Sequence, residues 1–389
     1  MDALILSCGT GGGHNAAGAA VTDEFIRRGH NAIMLNPYTL HSEELARRID
    51  HAYISTAQKA PKIFSAAYNA GQVYRQLPFR SPVYFANRSM TSIMEEYLSR
   101  NHFDIILMPH LFPAEIITAM KHKGIDIPKT IFIATDYACI PFTEETECDA
   151  YVIPSAGLAE EYTDQGIPRG KLHPLGIPVH RRFLRKETRG EARARLGLAS
   201  DKKYILIAGG SMGGGRIRKV IQLLMEESAG RSDIELIVIC GSNRRLYSDL
   251  TEKPLSNMTV LSFTADMDGY MRAADLFVTK PGGLSSTEAA ASRIPVIHVA
   301  EIPGCETFNA RYFSSHGMSR LCSTSRSGLQ AVFETLDNPR ACEAMIQNQQ
   351  KMIPGDAAAR ICTLAENMAV QHENENIAVA EIVRPVVAP

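Results

Sequence analysis

The stretch ALILSCGTGGGHNAAG, residues 3–18, passes from a short apolar run through a glycine-rich loop into a helical pattern. A short apolar run that ends in glycines is typical of a buried strand. The loop contains Gly11, Gly12 and Gly13, and His14 stands where the helix should begin. Bare backbone N–H groups at the start of a helix favour bound anions. The stretch therefore predicts a strand–loop–helix unit whose loop lets substrates approach closely and whose histidine takes part in chemistry.

The same order of strand, glycine loop and helix recurs in the second half of the chain. Short β-rich runs alternate with helical patterns, and ten runs are predicted as strands, near residues 3–7, 32–35, 104–108, 130–134, 150–154, 204–209, 235–241, 258–263, 275–279 and 295–299. This alternation predicts parallel sheets of βαβ units. The pattern restarts after LGIPVHRRFLRK, residues 175–186, which we interpret as a linker. We predict an α/β protein with two Rossmann-like, doubly wound domains facing across a cleft, residues 1–176 and 177–370, and a tail of little defined structure, residues 371–389.

Length, charge and cysteine usage narrow the class of protein. A chain of 389 residues fits two domains, because domains usually hold about 100–200 residues. The net charge of −1 predicts no general affinity for nucleic acid. The eight cysteines show no CxxC spacing, which predicts reduced thiols rather than a zinc site or disulfides. Without a signal-peptide pattern or an apolar run near the roughly 18 residues of a membrane span, we expect a cytoplasmic protein that meets a membrane only from its surface.

The two glycine loops do not match the known dinucleotide and ATP fingerprints. In the first loop His14 occupies the last glycine position of GxGxxG, and Asn36 stands where an acid should hold the ribose. The second loop, GGSMGGG at residues 209–215, fails the same template, and neither loop ends in GK[ST]. Nicotinamide and ATP are therefore disfavoured, and no cofactor is expected.

The run FVTKPGGLSSTEAAASRIPVIHVAEIPGCETFNARYF, residues 277–313, is the most informative of the chain. A strand ends at Lys280, a Pro-Gly-Gly loop follows, and three hydroxyl residues lead into a helix that carries Glu288. The exposed N–H groups and hydroxyls suit a diphosphate. A carboxylate one turn later has the lone pairs to accept both hydroxyls of a ribose. Ordinary helix capping explains Ser285 and Glu288 but neither the preceding glycines nor the later PGCETFN.

These motifs resemble the nucleotide-sugar glycosyltransferases of the two-Rossmann GT-B type (family 28), above all the monogalactosyldiacylglycerol synthases and the processive diacylglycerol glucosyltransferases. The resemblance covers nearly the whole chain and rests on GTGGGH, ATDY, LGIPV, GGSMGGG, KPGGLSSTEA and PGCETFNA. It implies a UDP-dependent hexosyltransferase that transfers a hexose from a UDP-sugar to a lipid acceptor such as diacylglycerol. Inversion, metal independence and a peripheral position on the inner face of the cell membrane are implied as well.

The same resemblance assigns the donor site. It places the UDP diphosphate on residues 209–213 and 282–287, the ribose on Glu288, the uracil near Phe263 and Thr264, and the sugar near Glu306 and Asn309, and it leaves Gly11, Gly12 and Gly13 as the acceptor loop. The full set of donor-binding residues is Gly209, Gly210, Ser211, Met212, Gly213, Phe263, Thr264, Lys280, Gly282, Gly283, Leu284, Ser285, Ser286, Thr287, Glu288, Glu306 and Asn309. The family commonly reads PGQE where this chain has Cys305, which leaves the sugar open. It often has His and Trp after TDY where this chain has ACIPF, which leaves the acceptor open.

Two residues are the candidates for the proton transfer. A helix N-terminus disfavours the imidazolium, so His14 should be neutral and able to accept a proton at pH 7. Asp136 follows a strand end and should face the cleft, where it takes the proton itself, orients His14, or merely caps a helix. The acids of DMD, residues 266–268, match the letters of a metal-binding DxD but stand at the start of a helix, where they serve its dipole. We expect no metal site.

The segment between His51 and Met94 contains no Asp or Glu. It holds five basic residues among aromatic ones, namely Lys59, Lys62, Arg75, Arg80 and Arg88. Basic and aromatic residues together suit an anionic lipid surface, where each basic residue is worth about 1 kcal/mol. The alternative is a helical insertion whose aromatic residues are core and whose charges are solvated.

Three other functions fit the same motifs. A UDP-sugar epimerase would release a changed UDP-sugar without a lipid. A non-catalytic UDP-sugar sensor would bind without turnover and keep its role after His14→Ala. A transferase to a soluble acceptor would need no membrane.

Overall fold

The structure is a computed structural model that describes residues 1–59, 68, 70–75, 77, 79–210, 217–252, 257–299 and 304–382, without the side chains of 53, 54, 57–59 and 372–382. Two parallel six-stranded sheets form the two halves of the described chain. All eight cysteines are free thiols, and six of them are buried. The predicted α/β class with two doubly wound sheets is confirmed.

The first half contains β1 (Asp2–Leu6), α1 (Gly12–Arg27), β2 (Asn31–Leu35), α2 (Glu43–Lys59), α3 (Pro82–Arg88), α4 (Thr91–Arg100), β3 (Ile105–Met108), α5 (Leu111–His122), β4 (Lys129–Ile133), β5 (Ala150–Val152), α6 (Ala159–Asp164) and β6 (Leu172–His173). The strand order is β2-β1-β3-β4-β5-β6. Side chains alternate along a strand, so Leu4 and Leu6 of β1 enter one apolar cluster while Ala3 and Ile5 enter the other. Both faces of the sheet are therefore covered.

The second half contains α7 (Arg189–Leu196), β7 (Lys203–Ala208), α8 (Ile217–Ser228), β8 (Ile234–Ile239), α9 (Arg244–Thr251), β9 (Met258–Leu261), α10 (Met267–Ala273), β10 (Leu276–Thr279), α11 (Gly283–Ala291), β11 (Val296–His298), α12 (Cys305–Ser315), β12 (Arg320–Leu321), α13 (Arg326–Leu336), α14 (Pro339–Met352) and α15 (Ala357–Ile382). The strand order is β12-β11-β10-β7-β8-β9. This is the order of a dinucleotide-type Rossmann sheet.

Each sheet has a topological switch point, where chain connections leave in opposite directions. In the first sheet it lies between β1 and β3, and in the second between β7 and β10. Ligands of open α/β sheets bind in the crevice at the carboxyl ends of such strands. The loop before His14 follows β1, and Lys280 follows β10. The strand order therefore brings the motifs singled out in the sequence to the two places where a ligand is expected.

The C-terminal helix differs from the prediction. Residues 357–370 were assigned to the second domain and 371–389 to a tail of little defined structure, yet α15 runs to Ile382 and packs on the first sheet. Ile361, Cys362 and Ala365 are fully buried in the core of the first half. The physical reason is that the apolar face of α15 covers apolar residues of the first sheet, which would otherwise be exposed. Residues 383–389 lie outside the described residues.

Candidate active site

His14 lies in the first turn of α1, at the switch point of the first sheet. Its Nδ1 is 2.8 Å from the carbonyl oxygen of Pro109, which follows β3, and 2.9 Å from Thr135 Oγ1. A carbonyl can only accept a hydrogen bond, so Nδ1 carries the hydrogen. The lone pair of this histidine is therefore on Nε2, which makes no hydrogen bond within the described part of the chain.

The surroundings of His14 keep its ring neutral. Burial lowers the pKa of His14, while Asp136 and the hydrogen bond to Pro109 act in the opposite direction. The His110 ring packs edge-on against it, with 4.5 Å between the ring centroids. A cavity of about 10 Å³, lined by His14, Thr135, Asp136 and mainly apolar neighbours, adjoins the ring. Such a volume holds roughly one water molecule.

Asp136 lies on the loop after β4, in contact with the second half of the molecule. Its Oδ1 accepts a hydrogen bond from Asn309 Nδ2 at 2.7 Å, and the backbone N–H of Tyr137 donates to Asn309 Oδ1 at 2.7 Å. Asp136 makes no hydrogen bond to His14 in the described structure, so the orientation of the ring comes from Pro109 and Thr135 instead. His14 and Asp136 line the same small cavity, but different residues hold them in position.

The donor-side loop brings a cation to the switch point of the second sheet. Lys280 Nζ lies 2.5 Å from Glu306 Oε1, at the first turn of α12. Gly210 has a φ of 76°, and a Cβ there would lie 2.9 Å from Lys280 Cε. The glycine therefore allows both the left-handed turn and the close approach of the lysine stem. Gly209 is buried beside it, whereas Ser211, Met212 and Gly213 lie outside the described residues.

The start of α11 packs against the first half of the molecule. A Cβ on Gly283 would lie 2.1 Å from the Thr135 carbonyl oxygen, and Leu284 packs near Gly13. Gly12 begins α1, and a Cβ on Gly11 would meet open space. The glycines before His14 and Gly283 of α11 have no side chains, and this lets the two halves approach closely.

The hydroxyl residues of α11 divide into two groups. Ser286 Oγ bonds His298 Nε2 at 2.9 Å, and Thr287 Oγ1 bonds Tyr137 OH at 2.9 Å, so both hydroxyls have protein partners. The resemblance assigns these two residues to the diphosphate, but their positions on α11 direct Ser286 into the core and Thr287 to the interface between the two halves. Gly282 caps the helix, where a Cβ would lie 4.0 Å from Ser285 Oγ, and Ser285 stays partly exposed. The backbone N–H groups here and the Ser285 hydroxyl therefore remain for an anion.

Glu288 lies one turn into α11, in a charged cluster with Arg182 and Asp268. Burial raises the pKa of Glu288 to about 8, with Arg182 lowering it and Asp268 raising it. Arg182 Nε is 3.7 Å from Asp268 Oδ1. The carboxylate of Glu288 has no hydrogen-bond partner among the described residues, which leaves it able to accept hydroxyls. Asp266 pairs with Arg195, so the two acids of DMD have cationic neighbours.

The predicted uracil contacts lie on the loop after β9. Phe263 is exposed, and Thr264 Oγ1 accepts the backbone N–H of Asp266 at 3.1 Å, where α10 begins. Arg182 Nη1 donates to the Ala265 carbonyl at 3.1 Å and so ties this loop to the linker. The described residues contain no group of three or more His, Cys, Asp or Glu placed to hold a metal ion.

The basic segment between residues 51 and 94 does not present all of its basic side chains to solvent, as a lipid-binding face would. Arg75 is nearly buried and pairs with Glu144 at 2.7 Å, and Arg80 pairs with Glu147 at 3.0 Å. The acids come from the loop after β4, which a count within the segment misses. Arg88 is exposed, whereas the Lys59 side chain and Lys62 lie outside the described residues. Among the described residues of this segment, the exposed large apolar side chains are Val73, Leu77, Phe79 and Phe85. No helix in the described ranges is both long and apolar enough to cross a membrane.

Sequence reasoning missed four groups that shape the site: the Pro109 carbonyl, Thr135, Tyr137 and Arg182. Thr135 and Tyr137 belong to the ATDY motif, so the motif itself was the available signal. A main-chain carbonyl and a linker arginine carry no local pattern that announces their role.

The fold and the facing switch points define the class, a GT-B fold of two Rossmann-like domains. Solved structures agree: MurG of Acinetobacter baumannii matches with a TM-score of 0.60 at 17% identity, over 94% of this chain and 99% of that chain. The glycotransferase of kitacinnamycin matches at 0.66 and 14% identity, over 95% and 99%. A UDP-GlcNAc 2-epimerase from Neisseria meningitidis bound to UDP-GlcNAc matches at 0.63 and 13%, over 94% and 100%. At these identities the likeness shows the fold.

Sequence comparison places the chain more closely. Residues 14–179 match the family model of monogalactosyldiacylglycerol (MGDG) synthase, and residues 204–361 match that of the glycosyltransferase family 28 C-terminal domain. A processive diacylglycerol beta-glucosyltransferase of Bacillus pumilus is 24% identical over 90% of each chain. That of Staphylococcus saprophyticus is 25% identical over 89% of this chain and 87% of its own length. The chain therefore belongs to the glycosyltransferase family that these two models describe, and it is a glycosyltransferase.

Proposed function

We propose that this enzyme transfers a hexose from a UDP-sugar to a lipid acceptor such as diacylglycerol, with inversion and without a metal ion. The names of the relatives support glycosyl transfer to a lipid. The observation that carries the proposal is that two groups lie at the two facing switch points. The first is the neutral His14, whose Nε2 has no hydrogen-bond partner among the described residues, and the second is the glycine start of α11 with the adjacent Lys280. One supplies a base for a hydroxyl, and the other supplies a site for a diphosphate.

On the acceptor side, His14 acts as the general base. The acceptor hydroxyl oxygen forms a bond to the anomeric carbon while the bond from that carbon to the diphosphate oxygen breaks. The electron pair of the broken bond leaves with UDP, and the hydroxyl proton passes to His14 Nε2. One in-line displacement inverts the anomeric centre. Asp136, close enough to raise the pKa of His14, stabilises the imidazolium that forms.

On the donor side, the charge that develops on UDP is met by fixed dipoles. The N–H groups at the start of α11, with the Ser285 hydroxyl and the Lys280 ammonium, favour the diphosphate. Glu288 accepts the two ribose hydroxyls. Stabilisation by such preorganised donors needs no metal ion, which agrees with the cationic neighbours already held by Asp266 and Asp268.

A membrane contact on the first half brings the enzyme to its acceptor. The exposed side chains of Val73, Leu77, Phe79 and Phe85, with Arg88 nearby in the sequence, combine apolar surface with positive charge. Such a surface suits the boundary of an anionic bilayer, here the inner face of the cell membrane. The apolar residues carry the contact, because Arg75 and Arg80 are occupied by acids of the protein itself.

A grid of donors and acceptors tests the proposal. Purified protein is incubated with UDP-glucose, UDP-galactose or UDP-N-acetylglucosamine, each with diacylglycerol, ceramide, a lipid-linked muramyl precursor or no acceptor, and UDP release and products are measured. UDP release and a new glycolipid in a diacylglycerol reaction support it. A new UDP-sugar without acceptor would show an epimerase. Donor binding without turnover in any reaction would show a sensor, and transfer only to soluble acceptors would remove the lipid.

A further inference from the structure

Helix α12 carries two polar residues, one turn apart, that contact opposite halves of the molecule. Glu306 pairs with Lys280 of its own half at 2.5 Å. Asn309, three residues later, reaches the loop of the first half that contains Asp136 and Tyr137. Asn309 is fully buried. One helix of the second half therefore contacts Asp136, which lies beside the proposed base His14.

The amide of Asn309 matches its two partners atom by atom. Its Nδ2 donates to Asp136 Oδ1 and its Oδ1 accepts from the backbone N–H of Tyr137, both at 2.7 Å. An ionised carboxylate can only accept, and a backbone N–H can only donate. An amide satisfies both at once, and a carboxylate or an apolar side chain in its place does not.

The same loop holds the other partner of the base. Thr135, next to Asp136 in the chain, has its hydroxyl 2.9 Å from His14 Nδ1. Tyr137 stacks on Tyr312 of α12 with 4.6 Å between ring centroids, and its hydroxyl meets Thr287 of α11. The three-residue loop is thus fixed to the second half on one side and contacts the catalytic ring on the other.

We propose that Asn309 is a positioning residue, which holds the carboxylate of Asp136 in place for the reaction from the opposite half of the molecule. The proposal rests on the proposed function, since it assigns Asp136 to the proton transfer. It gives Asn309 a role toward the acceptor base instead of the donor sugar. Displacing a reacting or charge-stabilising group by about 1 Å costs on the order of 100-fold in rate.

Asn309→Asp tests this role with almost no change of shape. Two carboxylates then face each other and must share a proton, so the acidic limb of the pH–rate profile moves to higher pH. We expect kcat to fall about 10- to 100-fold, while the KM for the UDP-sugar stays within about twofold. Asn348→Asp is the matched control: it makes the same change of side chain at an asparagine that donates to the Gly317 carbonyl within the second half. Its pH profile should coincide with that of the parent. A raised donor KM with unchanged kcat and pH profile in Asn309→Asp would overturn the proposal.

The exchanged pair Asp136→Asn with Asn309→Asp separates contact from chemistry. It restores one donor and one acceptor across the interface, so the thermal midpoint lost in Asn309→Asp should return while turnover does not. If Asn309→Asp leaves the thermal midpoint unchanged, the contact is not formed in solution and the proposal is overturned whatever the turnover. If the exchanged pair regains full turnover, no carboxylate at 136 is needed and its positioning by Asn309 is also overturned. Failure of the parent with every donor and acceptor would instead remove the proposed function.

Discussion

Lys280 Nζ and Glu306 Oε1 lie 2.5 Å apart between the end of β10 and the first turn of α12, with side chains 17% and 9% exposed. The pair places one largely buried cation beside Gly210 of the second glycine loop. Because a charged hydrogen bond is worth about 1.5–3 kcal/mol, the lysine should dominate the contact with a diphosphate.

Lys280→Met is therefore expected to weaken UDP binding about 10- to 100-fold, which isothermal titration calorimetry would measure. Lys203→Met is the control, because Lys203 forms an exposed ion pair with Asp337, at 2.6 Å. This variant should bind UDP like the parent. Equal affinity in the Lys280 variant would contradict the placement of the diphosphate.

His14→Gln should lower turnover by about 10²- to 10⁴-fold and leave UDP affinity unchanged, because glutamine donates to Pro109 but accepts no proton. In the parent, burial lowers the pKa of His14 below 6.5, so the neutral base persists and the acidic limb of kcat should lie below pH 6.5. His102→Gln, at an exposed histidine beside Asp104, serves as control. Unimpaired UDP release in single-turnover assays of His14→Gln would remove its role as base.

The affinity for UDP should rise with pH as Glu288 ionises. Burial raises the pKa of Glu288 to about 8, and only the ionised carboxylate accepts both ribose hydroxyls. The same shift means that the contribution of this group to stability is present at low pH and is lost as pH rises through about 8. Titrations of UDP between pH 7 and 9 check this. Glu288→Gln should bind weakly with no pH dependence, and a flat profile in the parent would contradict the assignment.

Gly283→Ala should force the halves apart. Its Cβ would lie 2.1 Å from the Thr135 carbonyl oxygen, which is backbone and can move only with its loop. We expect a loss of about 1–3 kcal/mol in stability, measured by urea unfolding, together with lower turnover. Gly190→Ala in α7, where a Cβ meets open space, is the matched control. Normal stability and turnover in Gly283→Ala would show that the halves do not close this way.

Vesicle binding should depend on exposed phenylalanines more than on arginines. Phe79→Ser with Phe85→Ser removes two side chains that are 69% and 55% exposed, each worth about 1.5–3 kcal/mol when fully buried in lipid. Arg88→Gln should remove about 1 kcal/mol, and only at low salt. Arg75→Gln should lower thermal stability, because it breaks the buried pair with Glu144. Sedimentation with anionic and neutral vesicles measures binding, and unchanged sedimentation of the double variant would refute the patch.

Local patterns predicted most of the sheet structure. The ten predicted runs correspond to the ten strands of three or more residues that the described part of the chain contains, because apolar runs between glycines carry a strong signal. The edge strands β6 and β12 were missed, since two residues cannot show a period. The return of α15 to the first sheet was missed because its apolar face is complementary to a surface far away in the chain.

The site was predictable where a motif carries the residue, and not where the contact is long-range. His14 and Asp136 come from loops after strands, and their neighbourhood follows from strand order. The partner of Asp136 lies 173 residues away, and the support of His14 is a backbone carbonyl, so neither leaves a trace in local sequence. The arginines of the basic segment were misjudged for the same reason, because Glu144 and Glu147 come from another loop.

Within the described ranges, the backbone passes between the halves twice, and the two passages lie side by side. A Cβ on Gly176, whose φ is 94°, would lie 2.6 Å from Pro354, just before α15 returns to the first sheet. Paired crossings of this kind act as a double-stranded hinge, which restricts opening of the cleft to rotation about one place. They also make the halves inseparable as fragments, since a C-terminal piece expressed alone would carry away Ile361, Cys362 and Ala365 and leave a bare strip on the other half's sheet.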